Sequence, residues 1–416
     1  MYEKITLKNG VRILFENIPY VRSVSVGIWV GTGSRFESAA ENGASHFIEH
    51  MVFKGTETRT AAETAEIMDS IGGQINAFTT KECTCFYGRV LDTHLDRLTD
   101  ILSDMFFNSR FDEADINNER GVIFEEIDMY EDAPEDLVTE RLFTAAYKGF
   151  SLARPILGKK ATLSKLGSKE LREYMRRHYC PSSVVVAVSG SFRSEDIDCI
   201  ASRFEAMPIF GENRLKSAAY TPAFIVKKKS IEQNHLCLGF PGLSVTDNRR
   251  YAMQLLSGIL GGGMSSRLFQ SVREKRGLCY SVYSFGSSYI DTGLFAIYTA
   301  LGRDTEREAL SVIREEVERF KSDGITASEL DRAREQAKAN VLMSLESTSA
   351  RMNRLGKSEL YLGKVPDPDE IIKAYDAVTA DNIAALAQYC LDFEKVAFSA
   401  VGRVDTVDMY RDIICK

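Results

Sequence analysis

Five histidines occur in the chain, and two of them stand four residues apart in Ser45-His46-Phe47-Ile48-Glu49-His50-Met51. On an α-helix, positions i and i+4 share a face, so both imidazoles can point at one spot. Two converging imidazoles form half of a zinc site, since zinc takes nitrogen and carboxylate ligands in tetrahedral array. Glu49 precedes His50 and flanks the same spot, where a carboxylate could take a proton from a metal-bound water. His-x-x-Glu-His is the inverse order of the His-Glu-x-x-His zinc motif. A helix that merely carries two surface histidines is the plainer alternative, and the rest of the chain must supply a third ligand and a substrate site.

The remaining histidines, His94, His178 and His235, have no partner at ligand spacing and read as structural. The stronger segment is Glu119-Arg120-Gly121-Val122-Ile123-Phe124-Glu125-Glu126-Ile127. Glu119 and Glu126 are seven apart and share a helical face bounded by Val122, Ile123 and Ile127. Half-buried carboxylates need a partner, and a metal is one. With Glu131, Asp132, Glu135 and Asp136 close by, a solvated acidic face is an equal reading of the residues alone.

The elements that must position these groups follow from pattern. Lys4–Leu7 and Val11–Glu16 flank Asn9-Gly10, a hairpin signal. Ser23–Val30 reads as a strand ending in a glycine-rich turn at Gly31–Arg35. The motif helix begins near Gly43, and a second helix spans Thr60–Ile71 before Gly72-Gly73. Strand character returns over Gln74–Leu91. Helical patterns follow over Thr93–Phe107 and from Asp112 to about Tyr130, where Pro134 interrupts or ends the run. Further helix through Phe143 and over Lys169–Tyr179 leads to a buried strand at Val184–Ser189 and a helix at Ser194–Phe204.

A linker is expected at 211–221, and beyond it the pattern begins again. Tyr179-Cys180 is echoed by Tyr389-Cys390, Ser23–Val30 by His235–Phe240, and the helix start at Phe111–Ile116 by Ile325–Leu330. The chain therefore reads as two copies of one α+β unit, 1–210 and 222–416. Near the position of His46–His50, the second copy has Met253-Gln254-Leu255-Leu256-Ser257, which offers no ligand.

Bulk properties narrow the function classes. The chain has 416 residues, 44% hydrophobic and 27% charged, enough for two or three domains with ample core. A net charge of −7 leaves no basic excess to neutralise phosphates, which argues against nucleic acid as the main partner. The N-terminus, Met1–Leu7, has neither a basic start nor an apolar core of a secretory signal. No run approaches the roughly 18 apolar residues needed to span a bilayer. None of the eight cysteines forms a Cys-x-x-Cys pair. They read as free, mostly buried thiols of a reducing compartment, so a cytoplasmic protein with no membrane partner is expected.

In its wider context, Gly43-Ala44-Ser45-His46-Phe47-Ile48-Glu49-His50-Met51-Val52-Phe53-Lys54-Gly55-Thr56 resembles the pitrilysin/insulinase family of zinc peptidases. The likeness is greatest to its mitochondrial-processing-peptidase-like branch with bacterial members. That family places its third ligand in a Glu-Arg-x-Val-Ile-x-Glu-Glu stretch, so the resemblance implies His46, His50 and Glu126 as ligands of one zinc ion per chain. It also implies Glu49 as the base and Glu119 as the acid that orients a ligand histidine. In the second copy, Gly261–Gln270 running on through Arg273–Ser281 resembles the segment where the family carries an arginine and a tyrosine seven apart. Here these are Arg273 and Tyr280, suited to donate hydrogen bonds to a substrate carbonyl or developing oxyanion. Read from the residues alone, they are a surface charge and a strand residue. The glycine triplet at 261–263 is not followed by the Gly-Lys-Ser/Thr of a phosphate loop.

Gly73–Thr79 resembles the family's edge strand, to which a peptide adds as a further strand, with Asn76, Ala77 and Phe78 as the substrate-binding residues. Phe150-Ser151-Leu152 departs from a histidine-proline-leucine run common in relatives, which leaves the ligand set untouched. The fold implied is α+β, two homologous α/β-sandwich repeats, each a mixed or antiparallel sheet with packed helices, as in processing-peptidase-like metallohydrolases. The activity implied is zinc-dependent endopeptidase action on extended or unfolded peptides or leader segments. Large relatives use four repeats and this chain has two, so the resemblance implies a dimeric clamshell. The clamshell is a homodimer or a heterodimer with an inactive homologue, with Arg273 and Tyr280 completing the site in trans. Two rivals remain: a non-catalytic binding or assembly subunit, and a dedicated leader peptidase for one genetically linked peptide.

Overall fold

The computed structural model describes residues 2–209, 211 and 213–415. Residue 212 of the expected linker lies outside the described residues.

The fold is α+β, with two sheets covered by helices. The first sheet holds β1 (Glu3–Thr6), β2 (Arg12–Asn17), β3 (Ser23–Val30), β4 (Gln74–Thr79), β5 (Thr84–Leu91) and β6 (Val184–Gly190), in the order β1-β2-β6-β3-β5-β4. The second holds β7 (Phe224–Lys228), β8 (Asn234–Pro241), β9 (Ser281–Ser288), β10 (Gly293–Leu301) and β11 (Ala397–Gly402), in the order β7-β11-β8-β10-β9. The second order reproduces the first strand for strand once β1 is set aside. In each sheet one pair is parallel, β2 with β6 and β7 with β11, and the equivalent remaining pairs are antiparallel. The repeat read in the sequence is a repeat of topology.

The expected hairpin forms, with Glu3 opposite Phe15 and Thr6 opposite Arg12. Its turn works through Gly10, whose φ of +101° suits glycine, and Asn9, whose Oδ1 accepts the Val11 N–H at 3.2 Å. Gln74–Leu91 resolves into two strands, β4 and β5. The acidic helix runs Glu113–Asp132, and Pro134 stands at the first turn of the next helix, Pro134–Ala146, where its missing N–H costs no bond.

The chain forms two compact units, and they are not its two halves. The first comprises Met1–Ile127, Arg154–Lys216 and Met343–Pro366; the second comprises Asp128–Ala153, Ser217–Leu342 and Asp367–Lys416. A cut at 211–221 does not reproduce these units, because each repeat contributes one helix to the other's sheet. In the first unit the Thr348–Leu362 helix lies on β3 and β6. In the second, Pro134–Ala146 lies on β11 and β8.

The strand sequence explains how the first unit accepts its borrowed helix. On β3, Val24, Val26, Ile28 and Val30 join one core, while Trp29 joins another with Met352 and Leu355. The latter face carries Ser25 and Gly27, small enough for the helix to approach. A Cβ on Gly27 would stand 2.4 Å from Met352 Sδ. Burial of a strand on both faces leaves little alternation to read.

Among the described residues no helix is long and apolar enough to cross a membrane. The eight cysteines are free, six of them buried and Cys199 and Cys415 exposed.

Candidate metal centre

The motif helix, Ala44–Met51, has eight residues and no side-chain cap of its own. Gly43 precedes it at φ +101°, where a Cβ would meet Leu163 Cδ2 at 2.7 Å and the Leu157 carbonyl at 2.8 Å. Its orphan N–H groups are instead satisfied from upstream. The buried Glu37 carboxylate accepts the N–H groups of Gly43 at 2.8 Å and Ser45 at 2.9 Å, and the Asn42 side-chain amide at 2.9 Å. A short helix with four unpaired N–H groups frays unless capped, so Glu37 holds the histidines in place. Burial pushes the Glu37 pKa up, against the pull of its Ser45, Asn42 and Gly43 hydrogen bonds. Nothing local in the sequence marks Glu37 as a cap, since it lies outside the N-cap position.

Among the described residues, one group of histidine, cysteine and carboxylate side chains converges closely enough to hold a metal ion: His46, His50 and Glu126. His46 Nε2 lies 3.3 Å from His50 Nε2, and Glu126 Oε2 lies 3.6 Å and 3.5 Å from them. Zinc bonds of roughly 2.0–2.1 Å in tetrahedral array demand about 3.3–3.4 Å between ligand atoms. The three edges match one face of that tetrahedron and leave the fourth position open. The donor set, two imidazole nitrogens and a carboxylate oxygen, is one that zinc accepts.

Around this triangle the other side chains fall into supporting positions. His50 Nδ1 lies 2.9 Å from Glu119 Oε1, which sets the ring proton on Nδ1 and turns the Nε2 lone pair toward His46 and Glu126. Glu119 is buried, and its other oxygen meets Lys54 Nζ at 2.5 Å. The seven-residue spacing thus puts both carboxylates of the acidic helix against the motif helix, one on each side of His50. Spacing alone gives no sign of the Lys54 contact, although that residue stands in the quoted motif context.

The electrostatics sort the groups further. Burial lowers the His46 pKa, aided by His50 and opposed by Glu126, which keeps that ring neutral. Burial pulls His50 down as well, but hydrogen bonds to Glu126 and Glu119 outweigh it and raise its pKa. The His50 hydrogen bond lowers Glu126. Burial raises Glu49, against a hydrogen bond from Thr79 and the nearby His50. Glu49 Oε2 and His46 Nδ1 are buried without a hydrogen-bond partner. A buried carboxylate with a raised pKa and a free lone pair is equipped to take up a proton. Thr79, at the end of β4, carries no mark of this role in the sequence.

Asn76, Ala77 and Phe78 lie on β4, the edge strand of the first sheet. Ala77 turns inward and is buried, Asn76 Oδ1 accepts the Ala77 N–H at 2.8 Å, and Phe78 packs edge-on to Trp29. Arg273 and Tyr280 belong to the second unit, where they meet each other. The Arg273 guanidinium lies 5.4 Å from the Tyr280 ring centre and 4.6 Å from that of Phe269. Arg273 sits in a π-helical turn, Phe269–Glu274, and Tyr280 is 71% exposed, which leaves its hydroxyl available. The three lone histidines stay out of the cluster. His178 Nδ1 pairs with Asn213 Oδ1 at 2.9 Å and His235 Nδ1 with the Tyr298 hydroxyl at 2.8 Å.

Residues 12–160 match the family described as Insulinase (Peptidase family M16), and residues 165–337 match the Peptidase M16 inactive domain. An uncharacterized zinc protease of Bacillus subtilis, YmxG, is 47% identical over 97% of this chain and 100% of its own length. An uncharacterized zinc protease of Streptomyces coelicolor is 40% identical over 96% of this chain and 89% of its own. Among solved structures, a protease from Helicobacter pylori superposes with a TM-score of 0.89 at 20% identity, covering 97% of this chain and 99% of that one. The chain belongs to the insulinase family, peptidase family M16.

Proposed function

We propose that the protein is a zinc endopeptidase that hydrolyses extended peptides, with His46, His50 and Glu126 as the metal ligands and Glu49 as the general base. The observation that carries this reading is the triangle of His46 Nε2, His50 Nε2 and Glu126 Oε2, whose edges of 3.3, 3.5 and 3.6 Å suit one face of a zinc tetrahedron. Bound there, zinc would supply Lewis acidity, polarising the scissile carbonyl and acidifying water.

The remaining work falls to the chain's own groups. Glu49 takes the proton of the attacking water on its unpartnered Oε2 and returns it to the leaving amine. Thr79, beside that carboxylate, favours its charged form. Glu119 fixes the His50 ring by accepting its Nδ1 proton. The unpaired edge of β4 holds the peptide extended through main-chain hydrogen bonds, with Asn76, Ala77 and Phe78 alongside it. Arg273 and Tyr280 donate hydrogen bonds to the substrate carbonyl, supplied by a partner copy of the chain.

The test is metal analysis joined to peptide cleavage. Wild type is expected to bind one zinc per chain and to cut unstructured peptides. Glu49→Gln should keep the metal and lose turnover by on the order of 10²–10⁴-fold. One zinc per chain with no cleavage of any unfolded peptide would favour a binding subunit, and cleavage of a single genetically linked peptide would favour a leader peptidase. Mixing Glu49→Gln with Arg273→Ala subunits should restore part of the activity after subunit exchange. A mixture that stays inactive removes the trans arrangement.

A further inference from the structure

The unpaired edge of β4 offers side chains as well as backbone. Beside it lies a cavity of about 390 Å³ lined by Gln74, Ile75, Asn76, Tyr87, Arg89 and Ser349. The antiparallel register sets Gln74 opposite Arg89 and Asn76 opposite Tyr87, so these four side chains share one face of the sheet. It is the face on which Trp29, Phe78 and Tyr87 meet Met352 and Leu355. Arg89 stands on β5, one strand in from the edge, and its guanidinium lies 3.4 Å from the side-chain Oε1 of Gln74, the residue opposite it on β4. Among the described residues its side-chain partner is that neutral amide and not a carboxylate.

A strand added to the outer edge of β4 would lie roughly 4.8 Å beyond it and turn every second side chain onto this face. A glutamate or aspartate there would stand one strand spacing from Gln74, whose amide the guanidinium touches, while a lysine would bring a like charge to it.

We propose that this cavity is a specificity subsite for an acidic side chain of the extended peptide, with Arg89 as the counter-charge and the Gln74 and Asn76 amides as further hydrogen-bond partners. The proposal rests on the endopeptidase reading with strand addition at β4. It also locates the acidic residue. Thr79, the last residue of β4 and a neighbour of Glu49 on the motif helix packed beside that strand, marks its catalytic end. Asn76 and Gln74 stand three and five residues back from it, about 10 and 17 Å at ~3.4 Å per residue. The preferred acid is therefore about three to five positions from the bond that is cut.

The experiment uses zinc-loaded full-length protein and fluorescence-quenched peptides that differ at one position, Glu, Gln or Lys, scanned through that window on both sides of the cleaved bond. Wild type should favour Glu over Lys by on the order of tenfold in kcat/KM at a position in the window. Arg89→Gln should flatten that ratio and Arg89→Glu should invert it. Each variant's ratio is internal, so a general loss of activity does not mimic the effect. Equal ratios in all three proteins, or no position with a preference, overturn the subsite.

If wild type cuts none of the peptides, the endopeptidase reading falls, and the subsite is judged by binding alone. The same labelled peptides are titrated against the Glu49→Gln protein with and without Arg89→Gln. A Glu-over-Lys preference that disappears with Arg89→Gln sustains the subsite, and Kd values that do not change with it sink it.

Discussion

Replacing Glu119 isolates the contribution of a residue that touches neither substrate nor metal in the proposed site. Its carboxylate is buried and holds two partners, His50 Nδ1 at 2.9 Å and Lys54 Nζ at 2.5 Å. Glu119→Ala leaves the His50 ring free to rotate or to switch its proton to Nε2, either of which removes a ligand lone pair. Loss of such a supporting carboxylate costs about 10–100-fold in metal affinity, or about 1.4–2.8 kcal/mol. Glu119→Gln keeps an oxygen that can accept the Nδ1 proton but loses the charge, so its effect should lie near the lower end. A competing effect runs the other way. Glu119 is one of the two carboxylates that raise the His50 pKa, so its removal weakens proton competition for the ring. Measuring at pH 8 keeps that competition small and exposes the orienting effect. The assay is zinc titration against a competing chelator, with denaturant unfolding of the metal-free variants to confirm that they fold. If Glu119→Ala binds zinc within about twofold of wild type at pH 8, the orienting role assigned to this carboxylate is wrong.

Two further predictions concern the scaffold. Arg267 grips Glu329 through two bonds of 2.7 and 2.9 Å and holds its pKa down at about 2, below the ordinary 4.5. A depressed carboxylate pKa stabilises the fold above the unfolded value and loses that stabilisation as pH falls through the folded one. The stability gap between wild type and Glu329→Gln should be about 1–2 kcal/mol at pH 7 after solvent screening, and should close between pH 4.5 and about 2, as read by urea unfolding. Gly356 lies in the helix borrowed by the first sheet, and a Cβ there would stand 2.2 Å from Trp29 Nε1. Helix propensity alone favours Gly356→Ala by about 1 kcal/mol. The rigid indole cannot yield as a flexible side-chain tip would, so overpacking of about 1–3 kcal/mol or more should prevail. Fluorescence of Trp29, the chain's one tryptophan, reports the unfolding directly.

Much of the site was legible because its information is local. The four-residue spacing of His46 and His50 defines a shared helical face wherever that helix lies, and the seven-residue spacing of Glu119 and Glu126 does the same on its own helix. The strand order of the two sheets likewise matches the echo of Tyr179-Cys180 in Tyr389-Cys390. What stayed hidden depends on which faces meet. Glu37 caps the motif helix from outside its N-cap position, so no capping signature announces it. The Thr348–Leu362 helix packs on the first sheet although its sequence neighbours build the second, a step that only complementary surfaces explain, with Ser25 and Gly27 making room.

By itself, the sequence showed that His46 and His50 share one helical face, that Glu119 and Glu126 share another, that the pattern repeats, and that Met253–Ser257 in the second copy offers no ligand, because periodicity decides which residues share a face; the resemblance, not the spacing, singled out Glu126 as the third ligand. The tertiary structure decided which acidic residues of a long charged helix reach the histidines. It placed Glu126 within 3.5 Å of His50 and Glu119 behind that ring, and it brought the Arg89 guanidinium to the Gln74 amide on β4. Those outcomes depend on the packing of one element against another, which spacing along a single element does not encode.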